Sequence, residues 1–279
     1  MLVYLNGEYL PAAEARVSVD DRGFLFADGL YEVVRIYAGQ PYELEEHLQR
    51  LLAGANALQI EYHDVRALEP ICRRLIEENG VSGNGIVYIQ VTRGAALRKH
   101  HFPPKGTQAT VYVAAKPHTG YPSHLWEDGA TAITMPDNRW ARCDIKSISL
   151  LPNIMANEAA MAAETFEAVL VRDGVVTEGS HSNVWGVRDG RLITYPASNY
   201  ILAGITRATV FRLAGELGIP ASEGLILAHE LYDLDEVFLS GTTVEIMPIV
   251  AVDGRMIVDG EPGPITRRLL KTFRNSLPR

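Results

Sequence analysis

EAVLVRDGVVTEGSHSNVWGVRDGRLITY, residues 167–195, carries the clearest strand pattern in the chain. It reads as two successive hairpins, one turning at Asp173-Gly174 and the next at Asp189-Gly190. Aspartate followed by glycine tolerates the positive φ that tight hairpin turns need. Upstream, NIMANEAAMAAETF (153–166) has helical spacing, with Met155, Ala159, Ala162 and Phe166 on one face. Before that, ATAITMP (130–136) reads as a strand. Downstream come a helix starting at Thr206, strands in VFLSGTTVEIMPIVAVDGRMI (237–257), and an amphipathic helix over about Pro264–Asn275.

The N-terminal half mixes the same element types. VYLNGEYLPA (3–12) predicts two short strands around Asn6-Gly7. Tyr31–Leu44 predicts a strand with a turn at Gly39, and Glu45–Ile60 a helix bearing Leu48, Leu51, Leu52, Ala55 and Leu58 at helical spacing. A second helix is expected over Asp64–Asn79, capped by Asp64, with Pro70 forcing a kink or a later start. Ile86–Thr92 and Ala109–Ala115 are strand-like. The fold class is α+β. Residues 117–124, within KPHTGYPSH, are expected to link an N-terminal domain (1–116) to a C-terminal one (125–279).

Composition narrows function. The chain has 279 residues, 47% of them hydrophobic and 22% charged, which fits a folded protein and excludes wholesale disorder. A net charge of -8 makes nucleic acid an unexpected partner. No apolar run is long enough to span a membrane, and MLVYLNGEYL does not read as a secretory signal. Two cysteines exclude a disulfide framework and point to a reducing cytoplasm. No nucleotide-binding glycine loop and no HExxH or CxxC occurs, so no metal site is expected.

There are 21 arginines and five lysines, so each lysine is worth inspecting. Lys146, in CDIKSISLLPN (143–153), is followed by a mostly apolar run. An apolar pocket disfavours the ammonium and leaves a nucleophilic amine; a lysine snorkelling at a strand end is the plainer reading. Glu178, in TEGSHSN, is either a turn residue or a carboxylate placed to hold a proton on a ring nitrogen. Gly204, Ile205 and Thr206 open a helix, where free N–H groups attract an anion; Gly241, Thr242 and Thr243 form a second hydroxyl-rich turn. Arg50 could add charge to such a site. Arg93, Arg98, His100 and His101 crowd a loop that could clamp a carboxylate or simply be solvated. Arg22, Gly23, Asp28, Gly29, Tyr31 and Glu32 form a glycine-punctuated segment in which an exposed tyrosine could line a pocket.

The order DRGFLFADGLYEVVR, LQRL, CDIKSISLLPN, EAVLVRDGVVTEGSHSNVWGV, ILAGITR resembles the class IV aminotransferases, pyridoxal 5'-phosphate (PLP) enzymes of fold type IV. Within that family it is most similar to the D-amino acid aminotransferases, because Arg98-x-His100 matches their carboxylate trap. The resemblance implies a smaller α+β N-terminal domain, a larger pseudo-barrel C-terminal domain, PLP between them, and a homodimer. It implies that Lys146 is the Schiff-base lysine and Glu178 the partner of the pyridine nitrogen. Arg50, Ile205, Thr206 and Thr242 match the phosphate positions, and Leu202 the apolar residue under the ring. Tyr31, Arg98 and His100 match the carboxylate trap, with the last two reaching the neighbouring subunit's site. The implied activity moves an amino group from a D-amino acid (D-alanine, D-glutamate, D-aspartate class) to a 2-oxo acid. An L-branched-chain or (R)-amine transaminase, an aminodeoxychorismate lyase and an inactive PLP carrier remain alternatives. His181 departs from the pattern, which has a serine there; it could tune the cofactor or point away.

Overall fold

The computed structural model describes residues 1–278. The chain divides into two compact units. Unit 1 comprises Met1–Thr119 and the excursion Ile145–Ser149; unit 2 comprises Gly120–Asp144 and Leu150–Leu277.

Unit 1 contains β1 (Leu2–Leu5), β2 (Glu8–Pro11), α1 (Arg22–Phe26), β3 (Gly29–Tyr37), β4 (Gln40–Pro41), α2 (Leu44–Ala57), α3 (Leu68–Glu78), β5 (Gly85–Thr92) and β6 (Thr110–Pro117). The strands form one sheet in the order β2-β1-β6-β5-β3-β4. Alternation along β3, β5 and β6 sends Leu30, Val34, Val87, Ile89, Val91, Val111 and Val113 to one face, where they are buried with Leu48, Leu51 and Ala55 of α2 and Leu68, Cys72 and Leu75 of α3. α3 starts at Leu68 rather than Asp64, after a single 3-10 turn over Val65–Ala67, and Asp64 makes no side-chain cap. The later start puts Pro70 in the first turn, where its missing N–H leaves no hydrogen bond unmade.

Ile145–Ser149 lies in the C-terminal half of the sequence but packs with unit 1. The reason is main-chain pairing with β3. The Tyr31 N–H donates to the Lys146 carbonyl (3.1 Å) and the Ile148 N–H to the Gly29 carbonyl (3.0 Å). Ile145 also joins the unit 1 core.

Unit 2 contains α4 (His124–Glu127), β7 (Ala130–Pro136), α5 (Leu151–Ala162), β8 (Glu167–Arg172), β9 (Val175–Gly179), β10 (Asn183–Arg188), β11 (Arg191–Thr194), α6 (Ile205–Glu216), β12 (Ala221–Glu223), β13 (Glu236–Gly241), β14 (Glu245–Val252), β15 (Arg255–Met256) and α7 (Pro264–Asn275). The ladder runs β12-β11-β10-β13-β14-β7-β8-β9, with β15 added on β14. β9 ends the ladder with four strands between it and β10, yet residues 180–182 alone connect the two. The Gly179 N–H bonds the Ser182 carbonyl at 2.7 Å across that connection. The sheet must therefore curl on itself, which is the expected pseudo-barrel. Trp185 stacks on Phe238 (5.6 Å between centroids) and donates its indole N–H to Ser240 (2.9 Å), anchoring β10 to β13.

The face expected for α5 is wrong by one residue in phase. Ala156 and Ala160 are its buried positions, Met155 is 65% exposed, and Phe166 lies beyond the helix end. Pro152 lets the helix begin at Leu151, and small alanines allow close approach to β8. Leu151, Ile154, Met155 and Met161 are left as an exposed apolar stripe.

Candidate active site

The pairing that draws Ile145–Ser149 onto β3 places the Lys146 side chain. Gly29 is required there, because a Cβ would come within 2.8 Å of the Val91 carbonyl and 3.0 Å of the Ile148 side chain. Lys146 is half-buried, whereas Lys99, Lys105, Lys116 and Lys271 are exposed. Its Nζ stands 4.2 Å from the Tyr31 ring centroid. Tyr31 in turn neighbours Tyr88 across the sheet, with centroids 6.1 Å apart.

Arg50 is brought to β3 by α2. Its Nε and Nη2 donate to the two carboxylate oxygens of Glu32, both at 2.8 Å. Glu32 is fully buried and also accepts from His47 Nδ1 at 2.7 Å. Burial pulls the His47 pKa below its ordinary value, so near neutrality His47 is an uncharged donor and Arg50 is the countercharge. Against the opposing effect of burial, Arg50 and His47 hold the Glu32 carboxyl at about 2. Its pKa is depressed on folding, so the stabilisation is present above the ordinary carboxyl value and lost as pH falls through about 2. Wild type should lose about 3 kcal/mol in that acid window that Glu32→Gln does not lose. Urea denaturation of both proteins between neutral pH and pH ~2 checks this.

Arg98 and His100 are exposed in the loop between β5 and β6. Phe26 sits against both, 5.1 Å from the Arg98 guanidinium carbon and 5.8 Å from the His100 ring. Among the described residues no hydrogen bond or ring contact joins either one to Tyr31 of the same chain.

In unit 2, Glu178 is the last but one residue of β9 and is 5% exposed. One carboxylate oxygen forms an ion pair with Arg139 Nη1. The other accepts from Asn183 Nδ2 (3.0 Å) and the Leu202 N–H (3.1 Å). Burial lifts the Glu178 carboxyl to about 7 against the pull of these donors. A carboxyl poised there can share a proton with a ring nitrogen near neutral pH. Arg139 is itself oriented by a fork to Asp137 (2.8 and 2.9 Å). Asp137 is held down to about 2 by Arg139 and Arg172.

α6 begins at Ile205 with Gly204 as its N-cap, and no side chain among the described residues caps its first turn. Its N–H groups and the buried Thr206 therefore present a site for an anion. Asn183 ties this terminus to Glu178, since it also donates to the Leu202 carbonyl (2.9 Å) and would lie 2.2 Å from a Cβ on Gly204. Thr242 stands in the turn between β13 and β14. The preceding Gly241 lies against the His181 and Ser182 backbone, its built Cβ 3.6 and 3.8 Å away. Unit 2 thus brings Glu178, Leu202, Ile205, Thr206 and Thr242 around the short connection from β9 to β10. His181 does not simply point away: its Nδ1 lies 3.1 Å from the buried Glu167 carboxylate, which also accepts from Ser180 and Ser182.

Arg139, Asp137 and Asn183 were missed from sequence. The only local signal was the Asp137-x-Arg139 spacing after a strand. No cluster of His, Cys, Asp and Glu that could hold a metal occurs among the described residues. No helix among them is long and apolar enough to cross a membrane.

The amino-transferase class IV family profile matches residues 29–252. The D-alanine aminotransferase of Staphylococcus aureus (strain MSSA476) is 40% identical over 272 residues, 97% of this chain and 96% of that protein. The Escherichia coli branched-chain amino acid aminotransferase structure superposes with a TM-score of 0.92 at 28% identity, covering 99% of this chain and 94% of that one. A second branched-chain amino acid aminotransferase, from T.th. and solved with pyridoxamine 5'-phosphate, gives 0.89 at 29% identity, covering 98% and 93%.

Proposed function

Because this chain belongs to the class IV aminotransferases, we propose that it transfers the amino group of a D-amino acid of the D-alanine, D-glutamate or D-aspartate class to a 2-oxo acid, using PLP. The observation that carries the handedness is the full-length likeness to the Staphylococcus D-alanine aminotransferase.

The donor set fits PLP. An uncapped helix start with Thr206 suits a phosphate, a caged carboxylate suits a protonated pyridine nitrogen, and a half-buried lysine suits a carbonyl. When bound, PLP supplies the electron sink that lets the substrate Cα lose a proton. Lys146 would hold the cofactor covalently through Nζ, and that amine, once the substrate amine has displaced it, would carry the proton taken from the substrate Cα. Glu178 would accept a hydrogen bond from the ring N–H and keep that proton in place, and Arg139 and Asn183 hold Glu178 in its position. Ile205, Thr206, Thr242 and Arg50 would hold the phosphate, and Leu202 would support the ring. Tyr31 clamps the substrate carboxylate together with Arg98 of the partner subunit and His100 of the partner subunit. The cofactor would carry the amino group between two halves of the reaction: water would supply the oxygen with which the donor leaves as its 2-oxo acid, and a second 2-oxo acid would give up its oxygen as water and leave as a D-amino acid.

Gly204→Ala should weaken PLP binding about tenfold, because the new methyl displaces Asn183 from Glu178. Titration of the cofactor-free protein with PLP, followed by absorbance, checks this without turnover.

We place the working enzyme as a homodimer in the cytoplasm. The exposed stripe of α5 and the free thiols Cys72 and Cys143 support this, and sedimentation velocity tests the dimer. The activity is tested by supplying D-alanine with 2-oxoglutarate. Pyruvate formation beyond one equivalent per site that requires the acceptor supports the proposal. Activity with L-leucine but not D-alanine, or repeated turnover to pyruvate without an acceptor, overturns it.

A further inference from the structure

Residues 93–109, between β5 and β6, form a long loop without a helix or strand of its own, yet it is tied down at both ends and in the middle. The Asp21 carboxylate accepts from the hydroxyls of Thr92 (3.0 Å) and Thr110 (2.6 Å), the residues at which the loop leaves β5 and enters β6. Asp21 also caps α1 through the Gly23 N–H at 2.8 Å. A Cβ at Gly23 would lie 2.3 Å from the Thr92 side chain, so glycine lets α1 sit directly on the end of β5.

Next to this knot lie two arginines on one carboxylate. Asp28 receives Arg22 Nε (2.8 Å), Arg93 Nε (2.8 Å) and Arg93 Nη2 (2.9 Å), and all three side chains are largely buried. Both guanidinium groups hold the Asp28 carboxyl below its ordinary range, against its burial. Arg93 spends its outer N–H groups on the Leu58 and Gln59 carbonyls (2.7 and 2.8 Å) and stacks 3.8 Å over Phe102. It thus binds the loop root to the end of α2. Arg22 reaches the other way. Its Nη1 donates to the carbonyls of Lys99 (2.8 Å) and His101 (3.4 Å), the residues on either side of His100. The Phe26 ring gathers the Arg22 guanidinium (4.8 Å), the Arg98 guanidinium (5.1 Å) and the His100 ring (5.8 Å).

We propose that Arg22, backed by Asp28 and Arg93, is a positioning residue for substrate recognition. It grips the main chain around His100 and, with Phe26 as platform, sets where Arg98 and His100 present their donors. This rests on the reading that Arg98 and His100 clamp the substrate carboxylate. A planar fork anchored on a buried carboxylate reads backbone position rather than side-chain identity, and that is what a loop lacking its own ladder needs. Small misplacement of a clamp weakens substrate binding before it alters chemistry at Cα. Nothing in the arrangement contacts Lys146, so the effect belongs in KM rather than kcat.

The test is a mutant cycle on the holoenzyme with D-alanine and 2-oxoglutarate. Arg22→Gln should raise KM for D-alanine about tenfold with kcat within about twofold. In an Arg98→Ala/His100→Ala background the same substitution should add nothing, because the groups it positions are gone. Hydrogen exchange should quicken over residues 98–101 while β3 and β5 stay protected. An equal KM effect in both backgrounds, a fall confined to kcat, or loosening of the whole of unit 1 overturns the proposal. So does an unchanged KM in Arg22→Gln when Arg98→Ala/His100→Ala raises it. If that double variant leaves KM unchanged, the clamp reading itself fails, which is a separate outcome. Should Arg22→Gln not fold, Phe26→Leu keeps the ion pairs and removes the platform. It should raise KM severalfold, again only when Arg98 and His100 are present.

Discussion

Lys146→Ala is expected to abolish transamination while leaving the fold intact. The segment carrying Lys146 is docked on β3 by main-chain atoms, since the Lys146 carbonyl accepts from the Tyr31 N–H and the Ile148 N–H bonds the Gly29 carbonyl. Truncating the side chain removes none of these bonds. It removes only the half-buried amine and its contact with the Tyr31 ring. The residues proposed to hold the phosphate and the ring nitrogen lie elsewhere in sequence, so PLP should still bind, without its covalent tether. Losing both the tether and the proton carrier should cost at least about 10³-fold in single-turnover rate, given what positioned acid–base groups contribute. Rapid-mixing measurements with D-alanine, with thermal denaturation as the control, check this. A variant within tenfold of wild type would remove Lys146 from the mechanism.

Glu178→Gln should be the second most damaging change, and for reasons that can be separated. The amide cannot carry the charge that keeps the ring nitrogen protonated, so the rate should fall about 10²–10³-fold, as when one preorganised electrostatic group is lost. Stability should fall too. Glu178 offers acceptors on both sides, to Arg139 on one and to Asn183 and Leu202 on the other. Glutamine has a single acceptor oxygen, so one side faces an N–H and is left unpaired in a buried setting. Breaking such a pair costs roughly 3 kcal/mol. Single-turnover kinetics and urea denaturation of the same preparation report the two losses independently. An unchanged rate with lowered stability would make Glu178 a structural residue.

What was legible in the sequence was local. The Asn6-Gly7, Asp173-Gly174 and Asp189-Gly190 turns each sit between the strands expected of them, because a two-residue turn carries its own backbone requirement. Lys146 stood out because scarcity of lysine and an apolar neighbourhood are both one-dimensional facts. Helix phase was less legible. The buried face of α5 is chosen by its packing against β8, and in an alanine-rich helix the periodicity alone does not tell Ala156 and Ala160 from the neighbouring positions. Long-range ion pairs were not legible at all. Asp28 was noted as part of a glycine-rich segment, but its pairing with Arg93 follows from the register that sets Gly29 opposite Thr92. Arg139 meets Glu178 across 39 residues, a distance that no spacing rule spans.

Selection of D-amino acids by the proposed carboxylate clamp is the property on which the rest depends. It is tested most directly by a half-reaction on purified holoenzyme, adding D-alanine and, separately, L-alanine while following the visible absorption of the bound cofactor. The expected result is loss of that absorption with D-alanine alone, one equivalent of pyruvate per site, and recovery on adding 2-oxoglutarate. Loss with L-alanine while D-alanine leaves the spectrum unchanged would contradict it.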